Sequence, residues 1–207
     1  MEPLKKEKIL VNSTIIEDDK FLHGAKHVIQ TLQGGAFRPN TLFLTLGNDD
    51  SKNHVISNLT DYSYNHDMGV MILKQHNRIA FGMQKDINIW LRDKSPNWHL
   101  AMLVTLQIQL NWNGKINLVT VAKNKEEKKN LQNFLERLSD QSRLPSLTEF
   151  HIITGNFKEA LVNCPRADIN IFGIGKDLPF EFMREASELT KSSCLYVKDS
   201  GHESALA

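Results

Sequence analysis

Residues 167–197 read ADINIFGIGKDLPFEFMREASELTKSSCLYV. Ile169 to Ile174 is rich in large apolar side chains on successive positions, the pattern of a strand buried on both faces. From about Pro179 to Lys191 the period changes: Phe182, Met183, Ala186 and Leu189 fall on one stripe of a helix. Pro179 stands in the first turn, where its missing N–H costs nothing. Cys194 to Val197 then returns to a short apolar strand. Strand, helix and strand in this order imply a parallel sheet covered by helices.

The same alternation extends outward. Further strands are expected at Ile9 to Ile16, Thr41 to Leu46, Gly69 to Leu73, Ile87 to Leu91, Ile116 to Ala122 and Phe150 to Thr154. A helix is expected from Asp19 to Gln33, with Leu22, Ala25, Ile29 and Leu32 on one stripe and Gly34-Gly35 stopping it in a left-handed cap. A second runs from Lys125 to Leu144 over Leu131, Phe134, Leu135 and Leu138. Asn124 caps its start, Glu127 answers three residues on, and Pro145 prevents continuation. Trp98 to Trp112, WHLAMLVTLQIQLNW, is apolar on most sides and too short for a bilayer, so it is expected to be the most buried helix. The fold class is therefore α/β, a mostly parallel sheet flanked by helices.

With 207 residues, 41% of them hydrophobic, the chain can close a substantial core. Lys and Arg number 25 against 24 for Asp and Glu, a net charge of +1, so there is no overall field to draw nucleic acid or an anionic membrane. Two cysteines, Cys164 and Cys194, and no secretory-type start point to a reducing cytoplasm. The sequons at Asn12 and Asn58 are read as chance matches. No window holds the eighteen or so apolar residues of a membrane span.

The sequence offers no catalytic, cofactor-binding or metal-binding residue. His23 and His27 lie four apart on one helix face, but HGAKH lacks the glutamate of a zinc metalloprotease pattern and reads as a solvated face. Neither cysteine has a CxxC partner. Ser139-Asp140, Asp49-Asp50 and Asp18-Asp19 suit turns and caps. Three glycine turns follow strands, at Gly47-Asn48-Asp49-Asp50, Gly155-Asn156 and Gly173-Ile174-Gly175-Lys176. None completes GxGxxG or GxxxxGK[ST], and the paired aspartates of the first would repel phosphate.

Four blocks, in order, resemble the cytosolic C-terminal domain of the cation-chloride cotransporters. They are Gly34 to Leu42 (GGAFRPNTL), Met68 to Leu73 (MGVMIL), Ile87 to Asp93 (INIWLRD) with the apolar helix and strand after it, and Ala167 to Ile174 with Pro179 to Phe182 and Leu195 to Val197. A departure is Arg92-Asp93-Lys94-Ser95-Pro96, where the family has acidic and glycine residues. There is no long phospho-acceptor insertion, which suggests a prokaryotic member.

The least regular stretch, Arg78 to Asp86, is expected to join two lobes, and the resemblance implies that these are universal-stress-protein-like (Rossmann-like), 1–85 as an N-terminal lobe entered part-way and 86–207 as a C-terminal lobe. It further implies a non-catalytic regulatory domain on the cytoplasmic side of the membrane. That domain would pair as a homodimer beneath the transmembrane part of a protein moving chloride with sodium or potassium. The alternative reading is a nucleotide-binding module using the strand-end loops near Gly47 and Gly173.

Overall fold

The computed structural model describes residues 6, 11, 13, 15–35, 38–92 and 97–206. By compactness the chain forms two units, 1–38 and 39–207. The first carries α1 (Phe21–Gln33). Ile29 is buried and Leu22 and Ala25 half-buried, but Leu32, expected on the same stripe, is exposed. Nor does α1 end in a left-handed glycine. Gly34 has φ −80° and ψ −8°, and short turns close the helix, Gly34 N–H donating to Thr31 O and Gly35 N–H to Leu32 O. The expected strand Ile9 to Ile16 falls partly outside the described residues, and Val11, Ser13, Ile15 and Ile16 have no regular structure.

The second unit runs β1 (Thr41–Thr45), α2 (Asn53–Tyr64), β2 (Gly69–Lys74), β3 (Asp86–Trp90), α3 (His99–Trp112), β4 (Lys115–Ala122), α4 (Lys125–Gln141), β5 (Glu149–Thr154), α5 (Phe157–Asn163), β6 (Ile169–Gly173), α6 (Phe180–Thr190) and β7 (Ser193–Lys198). The seven strands form one sheet in the order β1-β2-β7-β6-β3-β4-β5. Every neighbouring pair is parallel except β2 and β7, which run antiparallel with Ile72 opposite Tyr196. Each of these strands was expected within one residue of its observed ends.

Because side chains alternate faces along a strand, the sheet feeds two cores. On one face Ile87, Ile89, Leu118, Ile171 and Leu195 meet Leu100 and Met102 of α3 and Leu135 and Leu138 of α4. On the other, Val70, Ile72, Trp90, Val119, Phe172 and Tyr196 meet Ile56 of α2, Ala160 and Leu161 of α5, and Met183 and Ala186 of α6. Burying one such large side chain stabilises the fold by about 1.5–3 kcal/mol.

Helix α4 starts as its sequence implies, Glu127 N–H donating to Asn124 Oδ1 at 2.9 Å, but Glu127 reaches back to the Lys123 N–H instead of that of Asn124. The helix stops at Gln141, with Arg143 at φ 49° turning the chain before Pro145 is reached. Helix α3 departs most from expectation. Only Leu100, Ala101, Met102 and Thr105 are buried, while Leu103 is 38% and Leu110 72% exposed. Its apolar residues face both the core and outward, so uniform hydrophobicity here marks an uncovered face and not full burial.

The stretch between β2 and β3 is tightly bonded. Ala80, Gly82 and Gln84 take φ of 49°, 51° and 57°. Asp168, just before β6, accepts from the N–H groups of Met83 at 3.0 Å, Lys85 at 2.7 Å and Asp86 at 3.1 Å. A Cβ on Gly82 would stand 2.0 Å from Asp168 Oδ1, so both its φ and the close approach require glycine there.

Candidate functional site: a cleft at the strand ends

The chain leaves β3 for β4 and β5 on one side and returns to β6 and β7 on the other. Its connections therefore diverge between β3 and β6, the switch point where open α/β sheets hold ligands beyond their carboxyl ends. A cleft of about 310 Å³ lies there, lined by Trp90, Thr120, Phe157, Phe172, Gly173 and Phe182, with Arg92 and Asp177 also in its wall.

The aromatic wall follows from register. Trp90 of β3 pairs with Phe172 of β6, which pairs with Tyr196 of β7. The rings stack at 16° with centroids 5.5 and 5.4 Å apart, and Phe157 meets Trp90 edge-on at 5.3 Å. Two residues earlier on β3 and β6, a row of buried asparagines crosses the sheet. Asn117 donates to Asn88 Oδ1 at 2.9 Å, Asn88 to Asn170 Oδ1 at 3.1 Å, and Asn170 to Ser192 Oγ at 2.5 Å. Trp90 Nε1–H donates to the same Asn170 oxygen at 2.8 Å, which fixes the indole over the cleft. Tyr196 is held by its hydroxyl donating to Met183 O at 2.8 Å.

The polar side of the cleft is sparse. Thr120 Oγ1 has no partner among the described residues, but it is shut off from solvent and shares the sheet face of Leu118 instead of that of Trp90 and Phe172, so it offers the cleft no polar contact. Glu181 lies in the first turn of α6 and Asp177 just before it, and no side chain caps that helix. Carboxylates there suit the helix dipole and oppose a phosphate. The arrangement suits a flat apolar group with one or two polar atoms better than a polyphosphate.

The other candidates are placed elsewhere. Gly155, at φ 136°, makes the turn into α5, whose cap is Asn156 Oδ1 accepting from Glu159 N–H at 2.9 Å. The loop after β1 is held by Arg184 of α6, whose guanidinium donates to Gly47 O at 3.0 Å, Asp49 O at 2.5 Å, Asp50 Oδ1 at 2.7 Å and Asn53 Oδ1 at 2.6 Å. In the first unit Asp18 Oδ2 lies 2.7 Å from His23 Nδ1, and His23 Nε2 lies 3.1 Å from His27 Nε2, all on the surface. The Lys20 N–H and then His23 hold the Asp18 carboxyl below its ordinary range. Among the described residues no three His, Cys, Asp or Glu side chains converge as a metal site would need. Burial pushes the Cys164 thiol up to about 11 and that of Cys194 to about 12, which disfavours the reactive thiolate. Arg92 lines the cleft, whereas the rest of the divergent turn, Asp93 to Pro96, lies outside the described residues.

Sequence reasoning reached Trp90 and Gly173 separately but missed their meeting with Phe157, Phe182 and Thr120. A strand-end glycine together with a tryptophan at the end of another strand was the available signal.

Two family models cover the chain: the first part of the C-terminal domain of prokaryotic cation-chloride cotransporters over residues 1–81, and the second part over 82–206. The chain belongs to that family. Among solved structures, the cytoplasmic domain of a prokaryotic cation chloride cotransporter matches with a TM-score of 0.89 at 27% identity, over 99% of this chain and 79% of that one. A putative universal stress protein from Pseudomonas aeruginosa UCBPP-PA14 matches at TM-score 0.56 and 11% identity, over 96% of this chain and 76% of that one. A functionally unknown protein from Pseudomonas aeruginosa PAO1 gives 0.55 and 10%, over 96% and 75%. These last two show the fold alone. No curated protein matches the chain. Among the described residues of this cotransporter domain no helix is long and apolar enough to cross a membrane.

Proposed function

We propose that the chain is the cytoplasmic, non-catalytic regulatory domain of a membrane transporter that moves chloride together with sodium or potassium, and that it acts as a homodimer. The carrying observation is the match over 99% of the chain to the cytoplasmic domain of a prokaryotic cation chloride cotransporter. Two lobes, 1–85 and 86–207, suit the division of the two family models near residue 81.

For the dimer surface, the outward stripe of α3 is the best fit. Leu103 and Leu110 stand one heptad apart with Gln107 exposed between them, a short self-complementary ridge for a twofold contact. Light scattering on the purified chain tests this. A dimer is expected at micromolar concentration, and Leu110→Glu should weaken it at least tenfold while leaving the fold intact. A wild-type chain that stays monomeric at high concentration would remove the dimer from the proposal.

A second reading, nucleotide binding, draws on the cleft at the β3–β6 switch point and its aromatic wall. Calorimetry with ATP and adenosine separates ring recognition from phosphate recognition. With Asp177 and Glu181 at the head of α6, adenosine should bind no more weakly than ATP if the cleft is used at all.

A further inference from the structure

We infer that the carboxyl ends of β1 and β2 form a second binding site, remote in the sheet order from the cleft at the β3–β6 switch point, and that it takes a phosphoryl group. A cleft of about 440 Å³ opens there, and among its described lining residues are Gly47, Asn48, Lys74 and His76, with no carboxylate. Lys74 is 3% exposed, yet its ammonium group donates only to Asn48 Oδ1 at 2.9 Å and Gln75 O at 3.2 Å. A buried lysine is ordinarily matched by a carboxylate, and here no acidic group stands within ion-pair distance among the described residues. Among the described residues one of its three N–H donors is unused.

His76, 8% exposed, supplies a second donor. Its Nδ1 accepts from the N–H groups of Arg78 at 3.3 Å and Ile79 at 3.2 Å, so in the neutral ring the proton sits on Nε2. That Nε2–H has no protein partner among the described residues. Asn48, its oxygen taken by Lys74, keeps its NH₂ free to donate. The neighbouring acids are turned to other work: Asp49 accepts from Ser51, and Asp50 from Asn53 and Arg184. The objection that these aspartates would repel phosphate therefore does not extend to the Lys74 side of the loop. Three kinds of donor around one opening match the several acceptor oxygens of a phosphoryl group better than a single-atom anion.

The test uses the purified chain at fixed ionic strength, titrated with inorganic phosphate, AMP and chloride. Nitrogen-15 NMR of the His76 imidazole and the thermal midpoint are the readouts. Phosphate is expected to move the His76 Nε2 resonance and raise the midpoint by a few degrees. Lys74→Met should weaken the effect at least tenfold, and Lys198→Met, which removes an equally buried lysine elsewhere, should leave it unchanged. A response confined to inorganic phosphate identifies the free ion as ligand, and a stronger one to AMP identifies a nucleotide phosphate; both uphold the site. A wild-type His76 signal that does not move with either overturns the proposal whatever the variants do. Equal responses to chloride, or an undiminished response in Lys74→Met, overturn it as well.

Discussion

The stretches β1-α2-β2 and β6-α6-β7 are two renderings of one motif. In each, a parallel pair of strands is joined by a helix on the same face of the sheet. They meet through the antiparallel pairing of β2 with β7, and that register is centred on Ile72 and Tyr196, which hold equivalent places in the two motifs. Lys74 and Lys198 end the two strands at matching positions, and both are buried. What differs is how each motif is completed. The second has β3, β4 and β5 beyond it, so its central strands are flanked on both sides. The first ends at β1, an edge where Phe43 is 51% exposed, and the loop after β1 is held from outside by Arg184. The difference teaches that the two motifs share one packed core, but that the edge motif adds charged contacts to hold the loop after β1, which packing does not cover.

The largest effect should come from outside both motifs, at the clasp by which Asp168 fixes the entry to β3. Asp168→Ala leaves three backbone N–H groups without their carboxylate, and since hydrogen bonds to charged groups count for about 1.5–3 kcal/mol each and do not add fully, a loss of about 4 kcal/mol is expected in urea unfolding. Asp168→Asn should lose less. Equal, negligible losses in both would mean that the turn holds itself.

Next in size is Arg184→Met, expected to cost about 2 kcal/mol, because its side chain is only 17% exposed and makes four bonds to the loop after β1. Its signature is local. Amide exchange should quicken at the start of α2, including Asn53 and Ile56, while Met183 in α6 stays protected. Uniform loss across both motifs would contradict the division drawn between them.

Much of this was readable from sequence, for reasons that also explain what was not. Strands buried on both faces announce themselves as apolar runs, which gave β2, β3, β4, β6 and β7, and the edge strands β1 and β5 were found because they too are short apolar runs although only half-buried. Helix α2, NHVISNLTDYSY, was missed because two of its four buried positions are Thr60 and Ser63, which break the apolar stripe. Helix α5 has only seven residues, although Asn156 and Glu159 carry the capping signal that could have revealed it. The antiparallel β2–β7 contact joins strands more than a hundred residues apart, and no local pattern encodes it. The cleft depends on Trp90 and Phe172 sharing a register, and the Arg184 clamp on α6 meeting the loop after β1; neither is a property of any one segment.

A smaller, pH-dependent effect should separate the motifs chemically. Position 199 is aspartate where its equivalent in the first motif is Gln75, so only the second can titrate there. Asp199 accepts from the N–H groups of His99 and Leu100 at the head of α3, both at 3.2 Å. Burial, with the nearby Glu203 charge adding to it, pushes its carboxyl from the ordinary 3.8 up to about 6 against those two amide bonds. The folded state then holds a proton that the unfolded chain releases between these values. The stabilisation is fully present below pH 3.8 and is lost as pH rises through about 6. Unfolding measured from pH 4 to 7 should show a decline on the order of 1 kcal/mol after solvent screening, absent in Asp199→Asn.

The smallest effect concerns the two lysines themselves. Lys198 lies 4.7 Å over the ring of Tyr64 at the end of α2, so here the second motif reaches back to touch the first. Among the described residues Lys74 has no ring beneath it, and it uses the Asn48 oxygen instead. A double-mutant cycle with Lys198→Met and Tyr64→Leu should therefore show a coupling of about 0.5–1 kcal/mol, the ordinary strength of a cation over an aromatic face. The same cycle with Lys74→Met should show none. Coupling of both lysines to Tyr64 would mean that the motifs communicate through the β2–β7 pairing as a whole, and the contrast between the inner motif and an edge motif with its own clamped loop would then need replacing by a single cooperative unit.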